Sequence, residues 1–268
     1  MSEKTVGVTL VGAAGRMGLE IVRAVAARPD VRLIGAVERA GCDHIGADAG
    51  RLAGAGDAGV AISSDIEAAA DGADVVVDFG PPEATLGAIR AAEGAGAALL
   101  VGTTGLDARD AEAIDRAARR IAVLSASNLS VGIAVMHDIL RRAVSSLGEG
   151  FDVEIVEMHH RGKADAPSGT ALDLARTAAD ARGWDAGESI ATARAGVRGA
   201  REIGVLGARG GGVFGEHTAI LASDHERLEI THRAASRTLF AQGAVRAASF
   251  LAGKPAGRYT MMDVLGLD

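Results

Sequence analysis

The sequence predicts an α/β protein: a parallel sheet covered on both faces, with a second unit of α+β character inserted into it. Three observations carry this. Short, near-continuous apolar strands alternate with amphipathic helices through the first half, the pattern of strands buried on both faces. After about residue 130 a long helix leads into a region dominated by strands joined by turns, with residues 203–231 suiting an antiparallel or mixed sheet. A last helical segment, about 238–251, then returns to the first unit. The expected domains are therefore 1–129 with 238–268, and 130–237 between them.

Each element has its own reason. Thr5 to Gly12 is a β-branched apolar run stopped by glycine, and Met17, Ile21, Val22 and Val25 share one face of a helix over 16–28. Pro29-Asp30 turns the chain into a strand from Val31 to Glu38. Residues 41–60 are rich in Gly, Ala and Asp and are expected to form an irregular loop. Asp74 to Phe79 is a strand bounded by Gly80-Pro81-Pro82, followed by a helix from Glu83 to Ala92. AALLVGTTG is a strand with its glycine stop, 107–120 a helix, and AVLSAS a strand. Beyond them come a helix over 131–147, the strand FDVEIVEMHH with Val153, Ile155 and Val156 as its apolar set, and a helix over 168–181.

Composition narrows the function classes. With 48% hydrophobic and 24% charged residues, the 268-residue chain can bury a core. A net charge of −7 argues against nonspecific nucleic-acid or anionic-membrane binding, and 3% aromatics leave few stacking platforms for single strands. The single Cys42 allows no intrachain disulfide, and no Cys/His group has zinc spacing, so no metal is expected. The start MSEKTVGVTLVG lacks a basic region and a long apolar stretch, and no segment approaches the ~20 apolar residues that span a bilayer. A cytoplasmic location is the expectation.

The first chemical motif is GAAGRMG, with Gly12, Gly15 and Gly18 between a strand and a helix. Glycines there permit a tight turn and close approach to a pyrophosphate, and the helix start offers amide donors. Among 37 glycines the triplet alone could be an ordinary turn. Glu38, twenty residues after Gly18, ends the second strand where an acidic residue can bind ribose hydroxyls. Together they predict a Rossmann-like dinucleotide-binding domain. Arg39 could meet a 2′-phosphate, or simply be solvated. GTTG, from Gly102 to Gly105, and SASNLS, from Ser125 to Ser130, follow later strands, where ligands lie in an open parallel sheet. Both could instead be plain strand-to-helix turns.

The densest chemistry is EMHHRGKADAPSGTA, from Glu157 to Ala171, a basic island in an acidic protein. His159, His160, Arg161 and Lys163 precede Ser168-Gly169-Thr170 at a helix start. Ser168 can cap that helix, and the amides of Gly169 and Thr170 can bind a carboxylate. Proton-bearing groups beside an anion pocket suit a small carboxylate substrate that is protonated, although a basic surface loop with a capped helix is the plainer alternative. Lysine occurs only at Lys4, Lys163 and Lys254 among 28 lysines and arginines. Retaining it at 163 favours proton transfer, because an ammonium group can release a proton where guanidinium cannot. His44, His137, His217 and His232 are expected to serve structure. Another dinucleotide-dependent dehydrogenase, or a nucleotide-sensing binding protein without turnover, remains an alternative; the sensor would not need the His159/Lys163 pair.

GAAGRMG, Glu38-Arg39, VGTTG, SASNLSVG, EMHHRGKADAPSGTA, FGEHTAILA, ERLEITHRA and FAQGAVRAA occur in the order found in the 4-hydroxy-tetrahydrodipicolinate reductase family, formerly called dihydrodipicolinate reductase, and the resemblance covers nearly the whole chain. It implies an NADH- or NADPH-dependent reductase of the diaminopimelate route to lysine, acting on a cyclic imine with two carboxylates. It implies His159 as proton donor/acceptor and Lys163 as proton donor, with His160, Ser168, Gly169 and Thr170 at the substrate carboxylate. Cofactor positions are implied for Gly12, Ala13, Ala14, Gly15, Arg16 and Met17, for Glu38 and Arg39, for Gly102, Thr103 and Thr104, and for Ala126, Ser127, Asn128 and Leu129. Leu129 stands where the family leads one to expect phenylalanine, and Pro81 where some relatives carry arginine; both departures bear on cofactor preference. A homotetramer built through the second domain's sheet is also implied.

Overall fold

The computed structural model describes residues 5–267; residues 1–4 and 268, at the outer ends of the expected dinucleotide-binding domain, lie outside the described residues. The chain divides into two compact units, one running through Ser130 and resuming at Arg237–Gly266, the other spanning Val131–Ser236.

In the first unit, β1 (Val6–Val11), α1 (Arg16–Ala26), β2 (Val31–Val37), α2 (Ala49–Ala53), β3 (Ile62–Ser63) and α3 (Ile66–Ala70) form the first half. The second half holds β4 (Val75–Asp78), α4 (Pro82–Ala95), β5 (Ala98–Val101), α5 (Ala108–Ala117) and β6 (Ala122–Ser125). The second unit contains α6 (Val131–Leu147), β7 (Asp152–His159), α7 (Gly169–Arg182), α8 (Ala186–Ser189), β8 (Ile190–Ala191), β9 (Ile203–Arg209), β10 (Glu216–Ala222) and β11 (Arg227–Arg233). The chain then re-enters the first unit with α9 (Thr238–Leu251), β12 (Gly257–Tyr259) and α10 (Met261–Leu265).

The first sheet is parallel throughout, in the order β12-β6-β5-β4-β1-β2-β3. Strand order reverses between β1 and β4, so a crevice opens at their carboxyl ends. Val76, Leu99, Val101 and Val123 pack with Ile89 of α4 and Ile114 of α5 in one core, while α9 packs on α1 and on β4, β5 and β6. The stretch expected as an irregular loop contains α2. Asp48 starts this helix by accepting from the Arg51 amide, and its carboxylate also takes the amides of Ala58 and Val60. Five residues are too few for a periodic pattern to show.

The second sheet is mixed, in the order β11-β10-β7-β9-β8: β7 runs antiparallel to β10 and parallel to β9. The helices α6 and α7 cover one face, and their Leu140, Val144, Leu174 and Ala178 meet Val153, Ile155, Val205 and Leu221. The apolar set expected on β7 is corrected here. Val153 and Ile155 are fully buried, whereas Val156 points to the opposite face and is exposed, as strand periodicity requires.

Gly243 sits inside α9, where glycine costs about 1 kcal/mol relative to alanine. A Cβ there would lie 1.8 Å from the Leu129 carbonyl oxygen, so the close approach of α9 to that loop requires it. Gly243→Ala should lower the melting temperature despite its better helix propensity, since overpacking costs ~1–3 kcal/mol; a raised melting temperature would contradict this account. His217, on β10, is 3% exposed, and burial pushes its pKa down to about 3. The unfolded chain therefore binds the extra proton first, and stability should be lost as pH falls from about 6.5 toward 3, by about 1.4 kcal/mol per pH unit for this group. Urea unfolding across pH 4.5–7 should show a shallower slope in His217→Gln than in the unsubstituted protein.

Candidate active site

Every residue singled out for the dinucleotide lies at the carboxyl end of a strand of the parallel sheet. Gly12, Ala13 and Ala14 follow β1, Gly15 precedes α1, and Arg16 and Met17 begin that helix. The turn fits a pyrophosphate. Gly12 has φ +81°, and a Cβ at Gly18 would stand 2.1 Å from the Gly12 oxygen, so helix and turn can close only with glycine at both positions. No side chain caps α1 at Gly15, which leaves its amino end to offer amides to a phosphate. Glu38 follows β2, and its Oε1 accepts from the Ala14 amide at 2.9 Å, joining the acidic residue to the glycine turn. Arg39 is exposed beside it.

Gly102, Thr103 and Thr104 follow β5, and Ala126, Ser127, Asn128 and Leu129 follow β6. Thr103 is buried and its hydroxyl donates to the Gly80 carbonyl at 3.2 Å. Leu129 is 2% exposed, so its side chain belongs to the interior. A residue not anticipated from the sequence, Asp78 at the end of β4, organises this edge. It is fully buried, accepts from Thr85 Oγ1 at 2.7 Å and from the Gly80 amide at 2.9 Å, and burial pushes its carboxyl pKa up. Its sequence signal was a charged residue closing an apolar strand.

In the second unit His159 ends β7 and is 9% exposed. His160 and Lys163 lie on the following loop, where the Lys163 amide donates to the His160 carbonyl at 3.1 Å. Lys163 Nζ pairs with Asp165 Oδ1 at 2.8 Å. Ser168 caps α7, accepting from the Ala171 amide at 3.2 Å, and Gly169 and Thr170 open the helix.

The group that joins these elements is Glu157, which sequence reading left without a role. It is 1% exposed, and its Oε2 accepts from His159 Nδ1 at 2.6 Å and from Arg209 Nη1 at 2.8 Å. Its Oε1 accepts from the Ser168 amide at 3.0 Å and from Arg209 Nη2 at 2.8 Å. The carboxylate thus ties His159 to the start of α7. Burial would raise its pKa, but hydrogen bonds from Arg209, His159 and the Ser168 amide outweigh this and hold it below the ordinary value. Burial likewise lowers the His159 pKa; Glu157 opposes this, while Lys163 and Arg209 add to it. His217 packs edge-on against His159, with ring centroids 5.2 Å apart, and its Nε2 meets Ser168 Oγ at 3.2 Å. Among the described residues no group of three or more side chains is placed to hold a metal ion, and no helix is long and apolar enough to cross a membrane.

Comparison with known proteins agrees with this geometry. Residues 6–129 match the family described as dihydrodipicolinate reductase, N-terminus, and residues 132–265 match dihydrodipicolinate reductase, C-terminus. The chain is 49% identical over 263 residues to the 4-hydroxy-tetrahydrodipicolinate reductase of Anaeromyxobacter dehalogenans, covering 97% of each chain. It is 51% identical over 265 residues to the protein of that name from an Anaeromyxobacter species, covering 98% of each. A solved dihydrodipicolinate reductase from Paenisporosarcina, with dipicolinate bound, shares the fold at TM-score 0.75 and 20% identity, covering 97% of this chain and 98% of that one. With both halves of the chain matched in order and relatives near half identity over almost its full length, the chain belongs to the dihydrodipicolinate reductase family.

Proposed function

We infer that the chain catalyses reduction of (2S,4S)-4-hydroxy-2,3,4,5-tetrahydrodipicolinate to tetrahydrodipicolinate and water, with a reduced pyridine nucleotide, in lysine biosynthesis through diaminopimelate. The observation that carries this reading is the conjunction of His159 and the Ser168-capped start of α7, tied together by one buried carboxylate, with Lys163 on the loop between them. The glycine turn, Glu38 and the loops after β5 and β6 would hold the nucleotide, which supplies a hydride to the cyclic imine when bound.

The chain's own residues bind the substrate and deliver the proton. The amides of Gly169 and Thr170, with His160, suit one substrate carboxylate, because a helix start presents unpaired donors to an anion. Loss of the 4-hydroxyl as water leaves a conjugated cyclic imine; hydride addition to it leaves negative charge on the ring, and the pair His159 and Lys163 supplies the one proton that quenches it. Lys163 suits this role because its ammonium can give up a proton, and pairing with Asp165 keeps it oriented. The exposed face of the mixed sheet carries Val156, Met158 and Leu206, at 37%, 36% and 51% exposure. This apolar face supports a homotetramer assembled through that sheet.

The deciding experiment supplies substrate in situ from the preceding synthase and follows nucleotide oxidation at 340 nm; no oxidation would reject the reading. Both NADH and NADPH should serve. Glu38→Ala should raise the Michaelis constant for NADH most, and Arg39→Ala that for NADPH most, because the carboxylate accepts from ribose hydroxyls while the guanidinium can pair with a 2′-phosphate. An unchanged NADPH constant in Arg39→Ala would remove that assignment. His159→Gln and Lys163→Ala should each lose ~10²–10⁴ in turnover with little change in nucleotide affinity. Lys163→Arg keeps the charge but not the transferable proton, so its turnover should stay low at saturating substrate; near-normal turnover would leave Lys163 as a binding residue only.

A further inference from the structure

We propose that Glu157 is a positioning residue for the reaction: clamped by Arg209 and by the Ser168 amide, its carboxylate fixes His159 with the proton on Nδ1, so that Nε2 is the atom that exchanges a proton with substrate. The proposal rests on the functional reading above and names the atom through which His159 acts.

The geometry leaves Glu157 little freedom. Register places Glu157 opposite Gly207 and His159 opposite Arg209 on β9, so the residues at 157, 159 and 209 share the helix-covered face. Arg209 reaches back along that face with both terminal nitrogens, one to each carboxylate oxygen, and its Nη2 also donates to the Asp165 carbonyl on the loop that carries Lys163. The two oxygens of Glu157 therefore receive four hydrogen bonds, from Arg209, His159 and the Ser168 amide. An ionised carboxylate only accepts, so the imidazole nitrogen facing it at 2.6 Å carries the proton. On the other side of the ring, a Cβ at Gly215 would stand 2.9 Å from Nε2, so glycine keeps a bulky side chain away from that nitrogen.

The charges around His159 come from every neighbouring element. Glu157 lies on its own strand, Arg209 on β9 and His217 on β10, while His160, Lys163 and Asp165 lie on the following loop. Lys163 and Arg209 lower the affinity of His159 for a proton, as burial does, and Glu157 raises it. His217 does not compete for Nδ1 of His159, since its Nε2 is engaged with Ser168 Oγ and its own buried Nδ1 makes no hydrogen bond among the described residues. Glu157 therefore sets both the tautomer and the proton affinity of the ring, as outer carboxylates do for histidines elsewhere.

The first test uses the unsubstituted full-length protein. Nitrogen-15 histidine spectra, with His159 identified by the signal missing from His159→Gln, should show the Nδ1–H tautomer above the pKa of the ring; a dominant Nε2–H tautomer overturns the proposal. The second test is Glu157→Gln, whose amide cannot accept all four donors. Its kcat should fall about 10–100-fold, the range for loss of an outer partner and less than the ~10²–10⁴ for loss of the acid itself, while the NADH dissociation constant read by fluorescence stays within about two-fold. Because the carboxylate raises proton affinity, the limb of the pH–rate profile assigned to His159 should move to lower pH. In a His159→Gln background the same change should cost less than about two-fold, because residues acting as a unit are not additive. An unmoved pH profile, or an equal loss in both backgrounds, overturns the proposal and leaves Glu157 with a structural role. Should Glu157→Gln fail to fold, Gly207→Ala serves instead, since its Cβ would meet Glu157 Oε1 at 2.7 Å and displace the carboxylate without removing it; the same shift in profile is expected, and an unchanged profile overturns. Absence of turnover in the unsubstituted protein would reject the functional reading alone, because the tautomer is read without turnover.

Discussion

A carboxylate taken out of water has to be surrounded by donors, and that constraint shapes the edge of both units. Asp78 is fully buried at the end of β4, and Glu157 is buried near the end of β7. Each draws at least one donor from the loop or helix start beside it, the Gly80 amide for Asp78 and the Ser168 amide for Glu157, so satisfying the carboxylate also fixes that segment. The two differ in their donors. Asp78 is met by a threonine hydroxyl and an amide, and burial prevails, pushing its pKa up. Glu157 is met by a guanidinium, an imidazole and an amide, which together outweigh burial and hold it ionised. A charged carboxylate is what an adjacent histidine needs if its tautomer is to be fixed.

The two units also handle charge in different ways. The first relies on backbone: a glycine turn, an uncapped helix start and small residues after successive strands. Backbone dipoles do not titrate, so a phosphate held there would be bound across a wide pH range. The second relies on side chains that gain and lose protons, collected where β7 ends and α7 begins. Delivering a proton demands groups of this kind, and under the proposed mechanism lysine rather than arginine at position 163 would meet the same demand. Burial then tunes them: His217 is kept neutral, and His159 is poised between a desolvating core and an ionised partner.

Much of the fold was legible because periodicity is a local property. The helix expected over 131–147 is Val131–Leu147, and the one over 238–251 is Thr238–Leu251; both are long enough for an apolar face to repeat several times. Shorter elements escaped. The helices α2 and α3 have five residues each, and both start on an aspartate cap within small-residue sequence. The three-residue strand β12 is defined by pairing with β6 at the edge of the sheet, and pairing leaves no mark in local sequence. The candidate site divided in the same way. Glycine spacing, the acidic end of the second strand and the His-His-x-x-Lys block are contiguous and could be read directly. Glu157 stood two residues before His159, a spacing that places both on one face, but nothing local indicated that it would be buried.

By itself the sequence determined the α/β class, the positions of the glycine turn and the long helices, and the chemistry concentrated between Glu157 and Thr170. These depend on residues close in the chain, where backbone conformation and side-chain period act directly. Only the tertiary structure decided which charges meet. Arg209 reaches Glu157 across 52 residues, and His217 reaches Ser168 across 49, because β9 and β10 flank β7 in a register that strand sequences do not specify on their own. Register is fixed by burying one face of the whole sheet against α6 and α7, so the partners of Glu157 and Ser168 follow from packing of the unit as a whole.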